Sequence, residues 1–396
     1  MTTESAIPKH LRCPRTLPAN TPSPDYQPVV PGYTARFPEH QADLVVAVIG
    51  AQHNSQDTSP ESVKSSVSRI STFLTSSSAK SNPNPGSASA SALPSFHEWA
   101  SVTDNKGYFN IAAIAYWPSR GEYERWEEES GFRSWWDQLE FGNGQQNGGD
   151  EKKKNGWFLE VFFPKMDHFE TLFNTDKTPE GAAHMQEGLS GGVREHAYWG
   201  SMRDRLPASQ VDEMVGEKWV DGEKVKCSAD GGGIVKGRVR VSGKKNFVVI
   251  RSGQDWSATS PEERKLYLET MHPVLIKGMD FLRDDGLGEV GCYSCRFMDV
   301  VGPNAGEAAT AKPEEGNQSD RTFGLAYFDD LGSLERWCKE HPTHLAIFGG
   351  FMRYAEKLQG NVTLKVFHEV MVLEKPEQQT FEYVDCHAGT GMLVSR

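Results

Sequence analysis

The sequence lacks the features that mark several broad classes of protein. Its longest run of basic residues is the three lysines at 152–154, and 42 basic against 54 acidic residues give a net charge of −12. Because nucleic-acid and anionic-membrane surfaces are rich in lysine and arginine, we expect no nucleic-acid or membrane partner. A small neutral or apolar ligand fits this composition better.

Signals for export and for membrane insertion are missing as well. The first ten residues, MTTESAIPKH, contain no apolar signal-peptide core, and no apolar run approaches the roughly 18 residues of a membrane-spanning helix. We therefore expect a cytoplasmic protein.

The cysteines do not form a metal-binding or disulfide framework. Six cysteines are scattered along the chain, and in a reducing compartment we expect free thiols. Cys292 and Cys295 have C-x-x-C spacing, but no second pair completes a zinc site, and the alternation around them favours a strand. A metal or redox role for this pair is the alternative.

Three segments of low complexity interrupt a chain that has room for two or three domains. They lie at 76–94, 142–155 and 302–319 and are rich in Ser, Gly, Pro, Asn or charged residues. Such segments cannot bury enough apolar surface to order themselves. We expect surface insertions without a catalytic role.

An internal repeat indicates the fold. Residues 115–126 (AYWPSRGEYERW) align without gaps on 326–337 (AYFDDLGSLERW), at an offset of 211 residues. Each copy ends a predicted strand and enters a short helix. Further predicted strands flank the copies, at 43–52, 157–163, 247–252 and 362–373.

This arrangement is β-α-β-β-α-β twice, the ferredoxin-like pattern. The sequence therefore predicts an α+β fold of two ferredoxin-like repeats, of the dimeric α+β barrel type, with antiparallel sheets and outer helices. We place the N-terminal half at 1–200 and the C-terminal half at 201–396. Two such sheets can enclose an interior cavity.

The second half has the clearest helix starts. Ser260 and Pro261 begin a predicted helix that reaches residue 283, and His341 and Pro342 begin another. In the latter helix, His344 shares one face with apolar residues at i+3, i+4 and i+7, so we expect it to be buried. The first repeat has Arg133 at the matching position, which places a candidate site in the second half.

His368 interrupts an otherwise apolar strand face formed by alternate residues from Val362 to Val372. Such a ring is either a core histidine satisfied by hydrogen bonds or a functional group. His344 and His368 lack the cysteine or carboxylate partners of a zinc site, whereas one axial and one free imidazole suit a haem pocket. The chain has no C-x-x-C-H motif, so such a haem would be bound non-covalently.

Three further residues are candidates. Ser252 closes the strand that begins at Phe247 and is either a strand-end hydroxyl or a site residue. Arg203 and Arg205 lie in an unusual segment rich in aromatic and basic residues, and surface ion pairing is the alternative for both.

Several segments together resemble the haem-dependent aldoxime dehydratases. They occur in the family's order and are EHAYWGSMRDRLP (195–207), IRSGQDW (250–256), GMDFLR (278–283), LERW (334–337), HPTHL (341–345), FHEV (367–370) and CHAGTGM (386–392). The likeness runs from residue 11 to residue 392, and only the three insertions fall outside it.

The resemblance implies a lyase that uses ferrous haem b to convert an aldoxime, R-CH=N-OH, into a nitrile and water. It implies that His344 is the proximal iron ligand, His368 the distal acid-base group and Ser252 a hydrogen-bond partner of the oxime hydroxyl. Arg205 is matched to the assisting arginine, with Arg203 as the alternative. The expected partner is an aryl or alkyl aldoxime, and a homodimer is the candidate assembly.

Two rival functions fit the same haem site. One is a haem peroxidase or monooxygenase on the same fold, and the other is a non-enzymatic haem carrier or sensor.

Overall fold

The fold is mixed α/β and is dominated by antiparallel β-structure. A computed structural model describes residues 3–21, 25–54, 58–75, 92–139, 155–197, 201–219, 233–302 and 319–395. Most of the three predicted insertions lies outside these ranges. None of the helices in the described part of the chain is both long and apolar enough to cross a membrane.

Two runs of elements follow one another along the chain. The first run contains β1 (Ala35–Arg36), β2 (Val45–His53), α1 (Pro60–Thr75), β3 (Phe96–Thr103), β4 (Phe109–Trp117), α2 (Arg120–Glu129), α3 (Phe132–Asp137), β5 (Gly156–Phe162), β6 (Phe169–Phe173) and β7 (Gly188–Leu189). The second run contains β8 (Arg238–Val241), β9 (Phe247–Asp255), α4 (Pro261–Thr270), α5 (His272–Asp284), α6 (Gly286–Val290), β10 (Cys292–Val301), β11 (Arg321–Phe328), α7 (Leu331–Glu340), α8 (Pro342–Lys357), β12 (Lys365–Leu373) and β13 (Gln379–Val384). Short 3₁₀ turns join several of them.

Eleven of these strands form one sheet in the order β6-β12-β9-β11-β10-β3-β4-β2-β5-β13-β8, and β1 pairs separately with β7. All the pairings between these strands are antiparallel. The four strands β2 to β5 are neighbours, as are the four strands β9 to β12. A short pairing of β10 with β3 joins the two groups.

The predicted strands are confirmed, with ends shifted by a few residues. The predicted helix at 260–283 is wrong in one respect, because the structure divides it into α4 and α5 around Met271. Pro273 lies in the first turn of α5, where a residue without an N–H group is tolerated, but it could not continue α4.

Apolar side chains from both groups of strands fill the space between them. Even-numbered residues of β2, β4 and β5 pack there with odd-numbered residues of β9 and β11. We expected an interior cavity between the sheets. The cavity that contains the candidate histidines instead lies on the opposite face of β9 and β12, beneath the helices of the second half.

The corresponding space in the first half is filled by aromatic side chains. Trp126 packs 4.7 Å from Trp117 and 4.7 Å from Phe132, between ring centroids. Arg133 points away from this cluster and interacts with exposed Asp137. In the first half, aromatic side chains therefore occupy the position that corresponds to the cavity.

Candidate functional site

A cavity of about 220 Å³ separates strands β9 and β12 from helices α5 and α8. Methionine, aromatic and aliphatic side chains form most of its wall. Its polar groups include His196, Ser252, Gln254, Tyr267, His344 and His368. Such a cavity suits a flat apolar cofactor and a small apolar ligand with one polar group.

His344 lies in the first turn of α8 and lines this cavity. The side chain of His341 caps the helix by accepting a hydrogen bond from the Thr343 N–H, and Pro342 follows at the first helical position. His344 is 8% exposed and packs edge-on against Trp337, with ring centroids 4.7 Å apart. His341 does not line the cavity and stacks instead on Phe281, with a centroid separation of 3.9 Å.

Burial keeps His344 neutral at physiological pH. Loss of hydration lowers the pKa of His344 to about 4, and the opposing contact with the Cys338 backbone is a smaller effect. Nδ1 is buried and makes no hydrogen bond of good geometry within the described ranges. A neutral imidazole can bind a metal ion without first losing a proton.

His368 and Ser252 lie side by side on the strand wall. They are direct partners in the antiparallel pairing of β12 with β9, so their side chains project from the same face of the sheet. Both line the cavity. The alternating pattern in the sequence therefore predicted the face of His368 correctly.

Two charged side chains, those of Glu170 and Arg205, contact one ring nitrogen of His368. Its Nε2 atom is 2.9 Å from Oε1 of Glu170 and 3.0 Å from Nη2 of Arg205. Arg205 also donates from Nε to Oε2 of Glu170 at 2.8 Å. All three side chains are at least 98% buried, so this is a closed network rather than a surface ion pair.

The network keeps Glu170 ionised. Burial alone would raise the pKa of this carboxyl, but the charges of Arg205 and His368 outweigh it and lower the pKa to about 2. Arg205 itself does not line the cavity. It contacts the histidine rather than the space where a ligand would lie.

Arg203 occupies a different environment. It donates to Oε2 of Glu335, at 3.0 Å from Nε and 2.8 Å from Nη2, and is partly exposed. The structure therefore places Arg205, and not Arg203, beside His368.

Sequence reasoning missed Glu170 and gave no role to His196. Glu170 is the one charged residue in β6, whose sequence is FETLF, and this interruption of an apolar strand is the same kind of signal that His368 provides. His196 lines the cavity next to the network. Burial, followed by the charges of Arg205 and His368, lowers its pKa to about 3.

The low pKa of Glu170 predicts an acid sensitivity. Because folding lowers this pKa from 4.5 to about 2, the ionised group stabilises the folded protein above pH 4.5, and that contribution is lost as the pH falls from 4.5 towards 2. We expect Glu170→Gln to be less stable than wild type at neutral pH, with a shallower loss of stability in this window. Unfolding measured across this pH range tests it, with Glu377→Gln at an exposed position as control; parallel curves for wild type and Glu170→Gln would contradict it.

Comparison with known proteins identifies the family of this chain. Residues 47–392 match the family model described as haem-containing dehydratase. An aliphatic aldoxime dehydratase of Rhodococcus globerulus is 35% identical over 393 residues, covering 98% of this chain and 97% of the relative. A phenylacetaldoxime dehydratase of Bacillus sp. (strain OxB-1) is 28% identical over 370 residues, covering 93% and 92%.

A solved structure shows the same overall arrangement. The crystal structure of an aldoxime dehydratase in complex with butyraldoxime superposes with a TM-score of 0.79 at 34% identity, covering 99% of this chain and 96% of that one. With the family match over most of its length and relatives that align from end to end, the chain belongs to the family of haem-containing dehydratases.

Proposed function

We propose that this protein dehydrates aldoximes to nitriles and water, using haem b held without a covalent link. One observation carries the proposal: His344 and His368 line one apolar cavity from opposite elements, and Ser252 is the direct strand partner of His368. The names of the relatives support the same reaction.

The residues around the cavity fit a haem group. His344 is neutral at physiological pH, its buried Nδ1 atom has no well-formed hydrogen bond in the described ranges, and the surrounding wall is apolar. His344 would hold the haem iron. Ferrous haem bound there would supply the electron density that weakens the N–O bond of the oxime.

His368 would serve as acid and then as base. Hydroxide is a poor leaving group, so the oxime oxygen must receive a proton as the N–O bond breaks, and protonated His368 can supply it. The neutral ring then accepts the proton from the C–H carbon as the nitrile forms. The substrate loses one water molecule, and His368 ends each cycle in its starting protonation state.

The other groups orient these steps. Ser252, the strand partner of His368, would hydrogen-bond the oxime hydroxyl. Glu170 and Arg205 contact the ring and not the cavity, so they act as positioning residues. The apolar wall excludes water, which strengthens each of these polar contacts.

The rival functions predict different chemistry. A peroxidase or monooxygenase requires peroxide or oxygen, and a carrier or sensor turns nothing over. The test is an anaerobic assay of the purified protein with dithionite and phenylacetaldoxime, in which nitrile should accumulate. Turnover that appears only with an oxidant would favour the first rival, and absence of turnover the second.

The fold also supports the two-repeat interpretation. Strands β3-β4-β2-β5 and β12-β9-β11-β10 have the same relative order within their halves, as two ferredoxin-like repeats would. The halves exchange strands, since β6 pairs with β12 and β13 pairs with β5. The boundary near residue 200 stays a prediction. It would separate two repeats but would cut through the site, which includes Glu170 and His196 from the first half.

Substrate range and assembly are finer points. Phe348, Phe351 and Met279 line the cavity and suit the apolar tail of an alkyl or aryl aldoxime. The homodimer stays a prediction.

The first prediction of this proposal concerns the axial ligand. His344→Ala should give folded protein with little or no haem, because the cavity then has no imidazole in α8. Soret absorbance per mole of protein measures this. His341→Ala is the matched control and should keep its haem, since His341 lies outside the cavity; a Soret band of normal intensity in His344→Ala would refute the assignment.

The second prediction separates binding from chemistry. His368→Ala and Ser252→Ala should retain haem and still give an absorption change with aldoxime. Single-turnover nitrile formation should fall by on the order of 10² to 10⁴ in His368→Ala, the usual loss for a general acid. It should fall by roughly tenfold in Ser252→Ala, which removes a neutral hydrogen bond. If His368 is only a core residue, its variant will lose thermal stability and keep its turnover per haem.

The third prediction concerns oxidation state. Electron donation into the N–O bond requires ferrous iron, so the ferric protein should bind aldoxime without turnover and regain activity on reduction. Rates measured with air-oxidised and dithionite-reduced samples decide this, and equal rates would contradict the mechanism.

A further inference from the structure

A second buried polar cluster lies behind the strands that carry Ser252 and His368. The next residues along these strands, Arg251 and Glu369, are also direct partners in the β9–β12 pairing. Because successive side chains of a strand point to opposite faces, this pair points away from the cavity. Neither residue has a part in the chemistry described above.

Contacts from the first half of the chain complete the cluster. Nη1 of Arg251 is 3.7 Å from Oε1 of Glu369, and both side chains are 1% exposed. The hydroxyl of Tyr116, from β4, lies 2.9 Å from the same Nη1 atom and donates to Glu369. Glu98, from β3, forms a second ion pair with Arg251.

The side chains of Arg251 and Glu369 are closely packed and have little room to move. The guanidinium of Arg251 lies 4.3 Å from the ring centroid of Phe323 and 5.1 Å from that of Phe367. Gly181 has a φ of 56°, and a Cβ atom there would come within 2.4 Å of the Glu369 carboxylate. The Ala182 N–H donates to that carboxylate at 2.9 Å.

These contacts favour the observed alignment of β9 with β12 over one shifted by a single residue. A slip by one residue would turn His368 into the interior and a charged side chain into the apolar cavity. Either change would leave a buried charge without its partner, which is strongly unfavourable. The pair therefore fixes the alignment at the step next to Ser252 and His368.

We propose that Arg251 and Glu369, together with Tyr116, are positioning residues for aldoxime dehydration. They hold β9 and β12 in the alignment that places Ser252 beside His368, and Tyr116 anchors this alignment to the first half. The inference rests on the proposed function. These residues do not line the cavity, so they would affect the rate only through the positions of Ser252 and His368.

The structure contains a matched control for a purely stabilising role. Arg296 of β10 and Glu160 of β5 form another buried pair, with distances of 2.6 and 2.7 Å, and Tyr383 donates to the same carboxylate at 2.7 Å. Neither β5 nor β10 pairs with β9 or β12. Loss of this second pair should therefore destabilise the protein without moving Ser252 relative to His368.

The experiment compares Glu369→Gln with Glu160→Gln in the haem-loaded protein. We expect both variants to melt at lower temperature than wild type. Only Glu369→Gln should lose kcat, by about 10- to 100-fold with little change in KM, as small displacements of reacting groups do. Tyr116→Phe keeps both charges and should lose kcat severalfold, which keeps the test informative if Glu369→Gln does not fold.

A spectroscopic measurement separates this inference from the proposed function. The C–O stretching frequency of the ferrous carbonyl complex reports on polar groups beside the iron and requires no turnover. It should shift in Glu369→Gln and Tyr116→Phe, in the direction seen for Ser252→Ala, and stay unchanged in Glu160→Gln. Equal losses of kcat in the two glutamine variants, or an unshifted frequency in Glu369→Gln and Tyr116→Phe, would overturn the positioning role. Absence of nitrile from wild type would overturn the proposed function instead.

Discussion

The antiparallel pairing of β9 with β12 is the constraint on which the site depends. It places Ser252 next to His368 on the face that lines the cavity, and Arg251 next to Glu369 on the face that packs inside the molecule. The same two strands therefore carry the polar wall of the cavity on one face and a buried ionic cluster on the other. Because side chains alternate along a strand, neither surface can move independently of the other.

The two halves show how one supersecondary pattern can be filled in two ways. In the first half, Phe132 and Trp136 of α3 pack together with Trp126 of α2. At an offset of 211 residues the second half has Thr343 and Ile347. Both are smaller than their first-half counterparts, and Ile347 lines the cavity together with His344.

Much of this arrangement could be predicted from local sequence patterns. Alternation along the last long strand placed His368 on the correct face, and the helix that begins after His341 placed His344 on its buried side. Both are short-range signals, set by the geometry of one element. The repeat assigned His344 to the second half, because only that copy has the histidine, but the cavity also includes Val30 and His196 from the first half.

The rest depends on contacts between distant parts of the chain. Glu170 contacts His368 because β6 pairs with β12, which joins residues almost 200 positions apart. The sequence of β6 does not show which strand it pairs with. The side of the sheet on which the cavity lies was also missed, since both faces of β9 and β12 combine apolar residues with a few polar ones. The division of the long helix before Pro273 has a local cause, the missing N–H group of proline, but the helical spacing of apolar residues continues across it.

The strand wall and the helical wall of the cavity are supported differently. Ser252 and His368 belong to the sheet and are fixed by neighbours on both sides, whereas Phe348 and Phe351 project from α8, whose residue Leu345 is exposed to solvent. Side chains on the helical wall can change in size without disturbing the hydrogen bonds of the sheet. Substitutions along this one helix would therefore change the shape of the cavity, provided that His344 is kept, without replacing any residue of the sheet wall.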